Sequence, residues 1–415
     1  MKKAIPIILI VVVLLLVFKA LLGGSDLNTM GDPHFTKDGS LVSQPQFAKV
    51  DSDAIVRFYV ESSGSMNGFF RNGQPTDFKR DVYEIMSYYS RSTKDINIMT
   101  NDGGVAGKMN LANFQNAMNV GALQSNASTQ IPIMLSTIVS QLKKGEVAVL
   151  ISDMKYSPVG AAAPEVLLTQ YGSDVARIAG SSGKSFSLIS AISSYVDKMG
   201  NIVTKRSPYY YLVIGDQNKV SYIRNGISSM LDSHKTFIDN MDFGYKYATV
   251  PYTFGIPRNA VQYEQQPTFY SYDESLGACT ISLKLHLEAF RWIMAEKDVI
   301  QKSFTVKSTY GSKVKVSDIE IKTDNYVNQK LKRSAVATIK LSVSNMPSDM
   351  DVLQWNLRIP DGTDATYIGQ FLGAKDENDV TKSYSLENFI IGIQQGGIVN
   401  KQPQSNYILI TKNNL

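Results

Sequence analysis

Val147-Ala148-Val149-Leu150-Ile151 sets five apolar side chains in a row. A run of this length suits a strand buried on both faces. Such a strand needs covering layers on both sides, and helices supply them in α/β folds. Just upstream, Ile131, Met134, Leu135, Ile138, Val139 and Leu142 recur at helical spacing, Lys143 and Lys144 suit the negative end of a helix, and Gly145 stops it. Residues 55–60 form a second apolar run, followed across 77–91 by Phe78, Val82, Ile85, Met86 and Tyr89 at helical spacing. The pattern further predicts strands at 96–99 and 209–214 and helices at 113–120, 188–199 and 222–231, with a turn at 100–104. Strands alternating with helices imply right-handed crossovers and a mostly parallel sheet, giving an α/β domain over residues 51–246.

Beyond it the period changes from 3.6 to 2. Cys279, Ile281, Leu283, Leu285 and Leu287 alternate with Thr280, Ser282, Lys284, His286 and Glu288, as in a half-buried strand. Further strands are expected at 303–307, 313–321, 336–343, 352–359 and 407–410, so residues 247–415 read as a β-rich, sandwich-like domain. A helix over 385–393, with Leu386, Phe389, Ile390 and Ile393 on one side and Ser385 as its cap, is expected to pack on that module. The Tyr- and Phe-rich stretch 243–272 is assigned to the junction between the domains.

Residues 5–22 are apolar except for Pro6 and Lys19, about the length that crosses ~30 Å of hydrocarbon as a helix. Lys2 and Lys3 precede them and hold the N-terminus in the cytoplasm. The segment 4–22 is therefore expected to be an uncleaved single-pass anchor, with residues 23–50, rich in Gly, Ser, Asp and Asn, as a flexible tether. A cleaved signal peptide is the rival reading, although no A-x-A site follows. The bulk of the chain would then be extracytoplasmic, in the periplasm of a bacterial envelope. The sole cysteine, Cys279, has no intramolecular partner, so the fold does without disulfides. The formal charge of +5 is spread among nearly as many acids as bases, which excludes a nucleic-acid stripe.

Glu61-Ser62-Ser63-Gly64-Ser65-Met66 follows the first strand directly, and Ser152-Asp153 follows the run at 147–151. In parallel sheets, ligands bind outside the carboxyl ends of strands, and oxygen-bearing side chains gathered there suit a hard divalent cation. This region resembles the von Willebrand factor type A domain, whose metal site uses D-x-S-x-S after the first strand, a Thr from a later loop and an Asp after the fourth strand. The resemblance covers residues 51–246 and maps the ligands to Glu61, Ser63, Ser65, Thr129 and Asp153, held directly or through water. It departs in two places: Glu61 stands where the family has Asp, and Met154 where it has Gly after the later Asp. The extra methylene of Glu61 moves its carboxylate by ~1.5 Å, large against a metal–oxygen distance of ~2.1 Å. The resemblance implies Mg²⁺, with Mn²⁺ or Ca²⁺ as alternatives, and a protein partner whose carboxylate completes the coordination.

Other chemistries find no support. Gly180-Ser181-Ser182-Gly183-Lys184-Ser185 lacks the first Gly of a phosphate loop, because that position is Ile178. Gly64-Ser65-Met66-Asn67-Gly68 places its Ser one position too early for a hydrolase elbow. His34, His234 and His286 lie in unrelated contexts, and no C-x-x-C or H-E-x-x-H occurs. The chain is therefore expected to be a binding protein for adhesion or assembly and not an enzyme. A structural scaffold with a degenerate metal site is the second reading, and a metal-dependent hydrolase the third.

Overall fold

The structure is a computed structural model that describes residues 34–35, 41–43, 54–93, 95–100, 103–156, 163–244, 252–254, 260–262, 269–272, 278–287, 294–323, 334–358, 368–396 and 406–411. The expected anchor at 4–22 lies outside these residues. Among the described residues no helix is long and apolar enough to cross a membrane. Within the expected tether, His34–Phe35 pairs antiparallel with Leu41–Ser43.

The first unit runs β1 (Ile55–Glu61), α1 (Asp77–Tyr88), β2 (Ile96–Met99), β3 (Val105–Met109), α2 (Leu111–Asn119), α3 (Ile131–Gln141), β4 (Glu146–Ser152), α4 (Pro164–Ser182), β5 (Ser185–Val196), β6 (Ile202–Gly215), α5 (Gln217–Ser233) and β7 (Phe237–Phe243). Its seven strands form one sheet in the order β3-β2-β1-β4-β6-β5-β7. Only the β2–β1 and β1–β4 pairings are parallel; those of β3 with β2, β6 with β4, β5 with β6 and β7 with β5 are antiparallel. The sheet is thus mixed and not mostly parallel, because the helix expected at 188–199 is the strand β5. Leu188, Ile189, Ile192 and Val196 mimic helical spacing, but Ser190 and Ser193 between them are buried and not a wet face. Ser187 donates to the Asp242 carboxylate and Ser190 to the Asp239 carbonyl, both on the neighbouring β7. Gly183, at φ +60, caps α4 and turns the chain into this strand.

Side-chain parity sorts the central strands into two cores. Val56, Phe58 and Val60 of β1, Val147, Val149 and Ile151 of β4, and Tyr209, Tyr211 and Val213 of β6 face one side with α1 and α5. Tyr59, Ala148, Leu150, Tyr210 and Leu212 face the other, beneath α3 and α4. Continuous apolar runs therefore hold two alternating patterns, each covered by its own helices.

The second unit holds two further sheets, mainly antiparallel. One sheet orders β8 (Tyr252–Phe254), β11 (Ala278–His286), β14 (Ser334–Ser344) and β13 (Lys313–Thr323); α6 (Lys297–Ser303) follows β11 in the chain. The other orders β9 (Ala260–Gln262), β10 (Phe269–Tyr272), β16 (Asn406–Thr411), β15 (Met350–Leu357) and β12 (Phe304–Ser308), with one parallel pair, β10 and β16. Cys279, Ile281, Leu283 and Ile339 of the first sheet share a core with Leu353, Trp355, Ile408 and Ile410 of the second. Tyr252, assigned from sequence to the domain junction, instead packs edge-on against Trp355 inside this module, with ring centroids 4.9 Å apart.

The helix expected at 385–393 does form, as α7 (Leu386–Gly396), but it leaves the β module and lies on α4. Its Leu386, Phe389 and Ile393 join Tyr171, Val175 and Ile178 of α4 in the second core of the α/β unit. Small residues set the crossing: a Cβ on Gly392 would sit 2.4 Å from the Gly172 carbonyl oxygen, and one on Gly396 2.3 Å from that of Ala176. Ser385 does not cap α7, since its buried hydroxyl has no hydrogen-bond partner among the described residues and its φ is +68. Replacing Gly392 with Leu is expected to cost about 1–3 kcal/mol through overpacking, read from urea denaturation. Hydrogen exchange should accelerate in α4 and α7 while β1 and β4 stay protected.

Candidate functional site

The site is built where β1 and β4 end together. Their parallel register sets Val60 against Ile151, which carries Glu61 and Ser152 to adjacent places. Parity then puts both side chains on the face of Tyr59 and Leu150, the face covered by α3. Thr129 lies two residues before α3 and enters from the same side. Thr129 Oγ1 donates to Glu61 Oε1 at 2.5 Å, and Ser152 Oγ donates to Glu61 Oε2. Ser63 adds a third hydrogen bond to the Glu61 carboxylate. Ser63 and Ser65 hydroxyls stand 3.1 Å apart, and Ser65 in turn bonds to the Asp153 carboxylate. Glu61, Ser63, Ser65, Thr129 and Asp153 thus form one connected set of oxygens, bringing all five sequence-selected residues together.

The backbone around them is tightly held. A 3₁₀ turn, Ser65–Gly68, follows the serine loop, and Gly64 N–H donates to the Ala127 carbonyl at 2.9 Å. Asn67 clamps the two loops, donating to Ser125 O at 2.7 Å and accepting from Ser125 N–H at 2.8 Å. Tyr195 from β5 donates to Ser65 O at 3.1 Å and packs so closely on Gly68 that a Cβ there would lie 2.3 Å from its ring. On the Asp153 side, Met154 has φ +54 and is fully buried. The left-handed backbone at this position is the conformation for which glycine is the unstrained choice.

Residues far along the chain complete the rim. Ser383 Oγ donates to the Asp153 carbonyl at 2.8 Å, and Lys155 Nζ donates to the carbonyls of Glu377 at 3.0 Å and Asp379 at 2.8 Å. Tyr156 N–H donates to Tyr384 O at 3.2 Å. The segment leading into α7 therefore straps the loop that carries Asp153. Glu61, Ser63, Thr129 and Asp153 are buried, while Gly64, Ser65 and Asn67 are half-buried and mark the approach from solvent.

Burial dominates the electrostatics. It pushes the Glu61 carboxyl up to about 7, the nearby Asp153 charge adds to this, and the hydroxyls of Ser152, Ser63 and Thr129 oppose it. Burial also raises the Asp153 carboxyl, against the Lys155 charge and the bond from Ser65. Two acids are thus held close in a dry place, with hydroxyls filling the space between them. Among the described residues no group of three or more His, Cys, Asp or Glu forms a metal cluster, so any cation here would be held chiefly by hydroxyl and carboxyl oxygens.

Sequence reasoning missed Ser152, Lys155, Asn67 and Ser383. Ser152 had a usable signal, the register of two strands ending together. Ser383 had none, because its neighbour Asp153 is 230 positions away. No family model, curated protein or solved structure matches the chain.

Substituting Met154 with Gly would relieve a left-handed backbone, worth about 1 kcal/mol, but would also remove a fully buried side chain, costing about 2–5 kcal/mol. Cavity formation wins, so Met154→Gly is expected to destabilise by about 1–4 kcal/mol in chemical denaturation. Thr129→Val should destabilise as well, by leaving Glu61 Oε1 short of a donor, by about 1–3 kcal/mol.

Proposed function

We propose that the α/β unit is a binding module of the von Willebrand factor type A kind, in which a divalent cation at the Glu61–Asp153 edge presents itself to a carboxylate on a partner protein. The observation that carries this reading is the connected oxygen set at the joint ends of β1 and β4. The donors suit the ion: the 3.1 Å spacing of the Ser63 and Ser65 hydroxyls matches the edge of an octahedron, about 3 Å for ligands ~2.1 Å from a Mg²⁺. The paired buried carboxyls supply the negative charge that a cation would neutralise. Met154 agrees with the assignment, since it adopts the backbone for which the family's glycine is suited. Ser63, Ser65 and Asp153 would hold the ion directly, with Glu61 and Thr129 acting through water. In this proposal the chain is anchored at its N-terminus and works outside the cytoplasm, as a component of adhesion or envelope assembly and not as an enzyme.

A second reading is favoured by one observation: both Glu61 oxygens are already satisfied, by Thr129 and Ser152. In that case the cluster is a polar clasp that closes the sheet edge, and partners bind elsewhere. Calorimetric titration of Mg²⁺ and Mn²⁺ into the protein separates the two. The binding reading expects heat at millimolar metal or below, lost in Asp153→Asn and Ser63→Ala and strengthened in Glu61→Asp. Absence of heat in the parent protein and in Glu61→Asp alike would leave only the clasp.

The pH dependence gives an independent check. Glu61 has a folded-state pKa of about 7, above the ordinary value of 4.5. The folded state therefore holds a proton that the unfolded chain has released, so this contribution is complete below about pH 4.5 and is lost as pH rises through 7. Metal-free protein should lose roughly 2–3 kcal/mol of stability between pH 5 and pH 8, measured by urea denaturation. Millimolar Mg²⁺ should recover much of that loss at pH 8 and little at pH 5, because the ion competes with the proton.

A further inference from the structure

The hairpin formed by β5 and β6 outruns the sheet at the edge that carries the site. The last pair joining β6 to β4 is Tyr210 with Ser152, and the last joining β5 to β7 is Ala191 with Phe237. Past Ile192, whose N–H still donates to Thr236 O at 3.0 Å, the two strands continue paired with each other, through Ser193 with Ser207, Tyr195 with Thr204 and Val196 with Ile202. The result is a two-stranded tongue projecting past its neighbours. Its base is braced by Tyr195 on Ser65 and by Ser207, which donates to Val380 O at 2.6 Å.

Its tip carries an unusual surface. Met199 is 84 % exposed, Ile202 53 % and Val203 54 %. Lys198 and Lys205 are exposed around them, Arg206 nearer the base donates to Gln370 Oε1 at 3.2 Å, and Asp197 is the tip's one carboxylate. That carboxylate is engaged within the turn: it accepts from Met199 N–H and Asn201 N–H, each at 2.8 Å, while Asp197 N–H donates to Asn201 O at 2.9 Å. Gly200, at φ +86, closes the bend. The tip is therefore rigid, so its apolar groups can be buried with little ordering cost.

We propose that this tongue docks onto an anionic phospholipid surface, with Met199, Ile202 and Val203 entering the headgroup and acyl boundary and Lys198 and Lys205 resting among the lipid phosphates. Two features select this partner. A projecting tip of nine residues, 197–205, falls well short of the ~800 Å² per side of a stable protein interface, whereas a bilayer can surround it. Cations ringing exposed apolar side chains match the interfacial pattern, in which apolar burial and attraction to anionic lipid add. The inference stands apart from the proposed cation site.

The test uses the full chain carrying Met199→Cys, labelled with an environment-sensitive dye; Cys279 is fully buried and stays unlabelled in the folded protein. The protein is reconstituted in phosphatidylcholine vesicles with and without phosphatidylglycerol, so that any insertion of residues 5–22 is common to both. A blue shift, with quenching by lipids brominated on their acyl chains, is expected only with phosphatidylglycerol. Charge reversal at Lys198 and Lys205 should lower the inserted-to-free ratio by about five-fold per cation removed, or more, with unchanged circular dichroism confirming the fold. No shift with phosphatidylglycerol, or an equal shift in both vesicles, overturns the proposal. A shift with soluble polyglutamate but not with vesicles also overturns it and assigns the tip to an acidic protein.

Discussion

The ionisable carboxyl of Glu61, buried at the end of a central strand, is the constraint around which this molecule is organised. A group of that kind is tolerated in a dry interior only when hydrogen bonds or opposite charge surround it. Thr129, Ser152 and Ser63 supply the hydrogen bonds, and each arrives from a different element. The register of β1 on β4, the entry of α3 and the bend at Gly64 must all be right for the carboxyl to be accommodated. The same requirement makes the edge chemically distinctive, because the shell that satisfies Glu61 is also a set of converging oxygen donors.

Local patterns made most of the α/β unit legible. The helix at 131–142 and the strand at 147–151 emerge as Ile131–Gln141 and Glu146–Ser152, because apolar periodicity reports burial directly when one face or both are dry. The same signal misled at 188–199. There, serines occupy buried positions and form hydrogen bonds to β7, so polar letters in the sequence did not mean a wet face. One misplaced element altered the topology, since a hairpin in place of a helix inserts β6 antiparallel beside β4.

The candidate site was legible for a related reason. Strand ends in a parallel arrangement gather, so residues 61 and 153 could be brought together without knowledge of the chain between them. Asn67 and Tyr195 clamp the site through loop contacts whose partners local sequence does not indicate. The strap from 377 to 384 is harder still. Its attachment to Lys155 and Asp153 depends on a return of the chain across two further sheets, and nothing in the local composition marks it.

That return has a consequence for the order in which the protein can be made. The face of the sheet beneath α4 is not fully covered until residue 396 has emerged, because Leu386, Phe389 and Ile393 form part of its core. During synthesis the α/β unit must wait, with Tyr171, Val175 and Ile178 incompletely covered, while the 142 residues between β7 and α7 are added. Contacts of such long sequence separation form late. The closing of α7 onto α4 thus becomes a natural checkpoint, before which an apolar helix surface is open to a chaperone or to another unfinished chain.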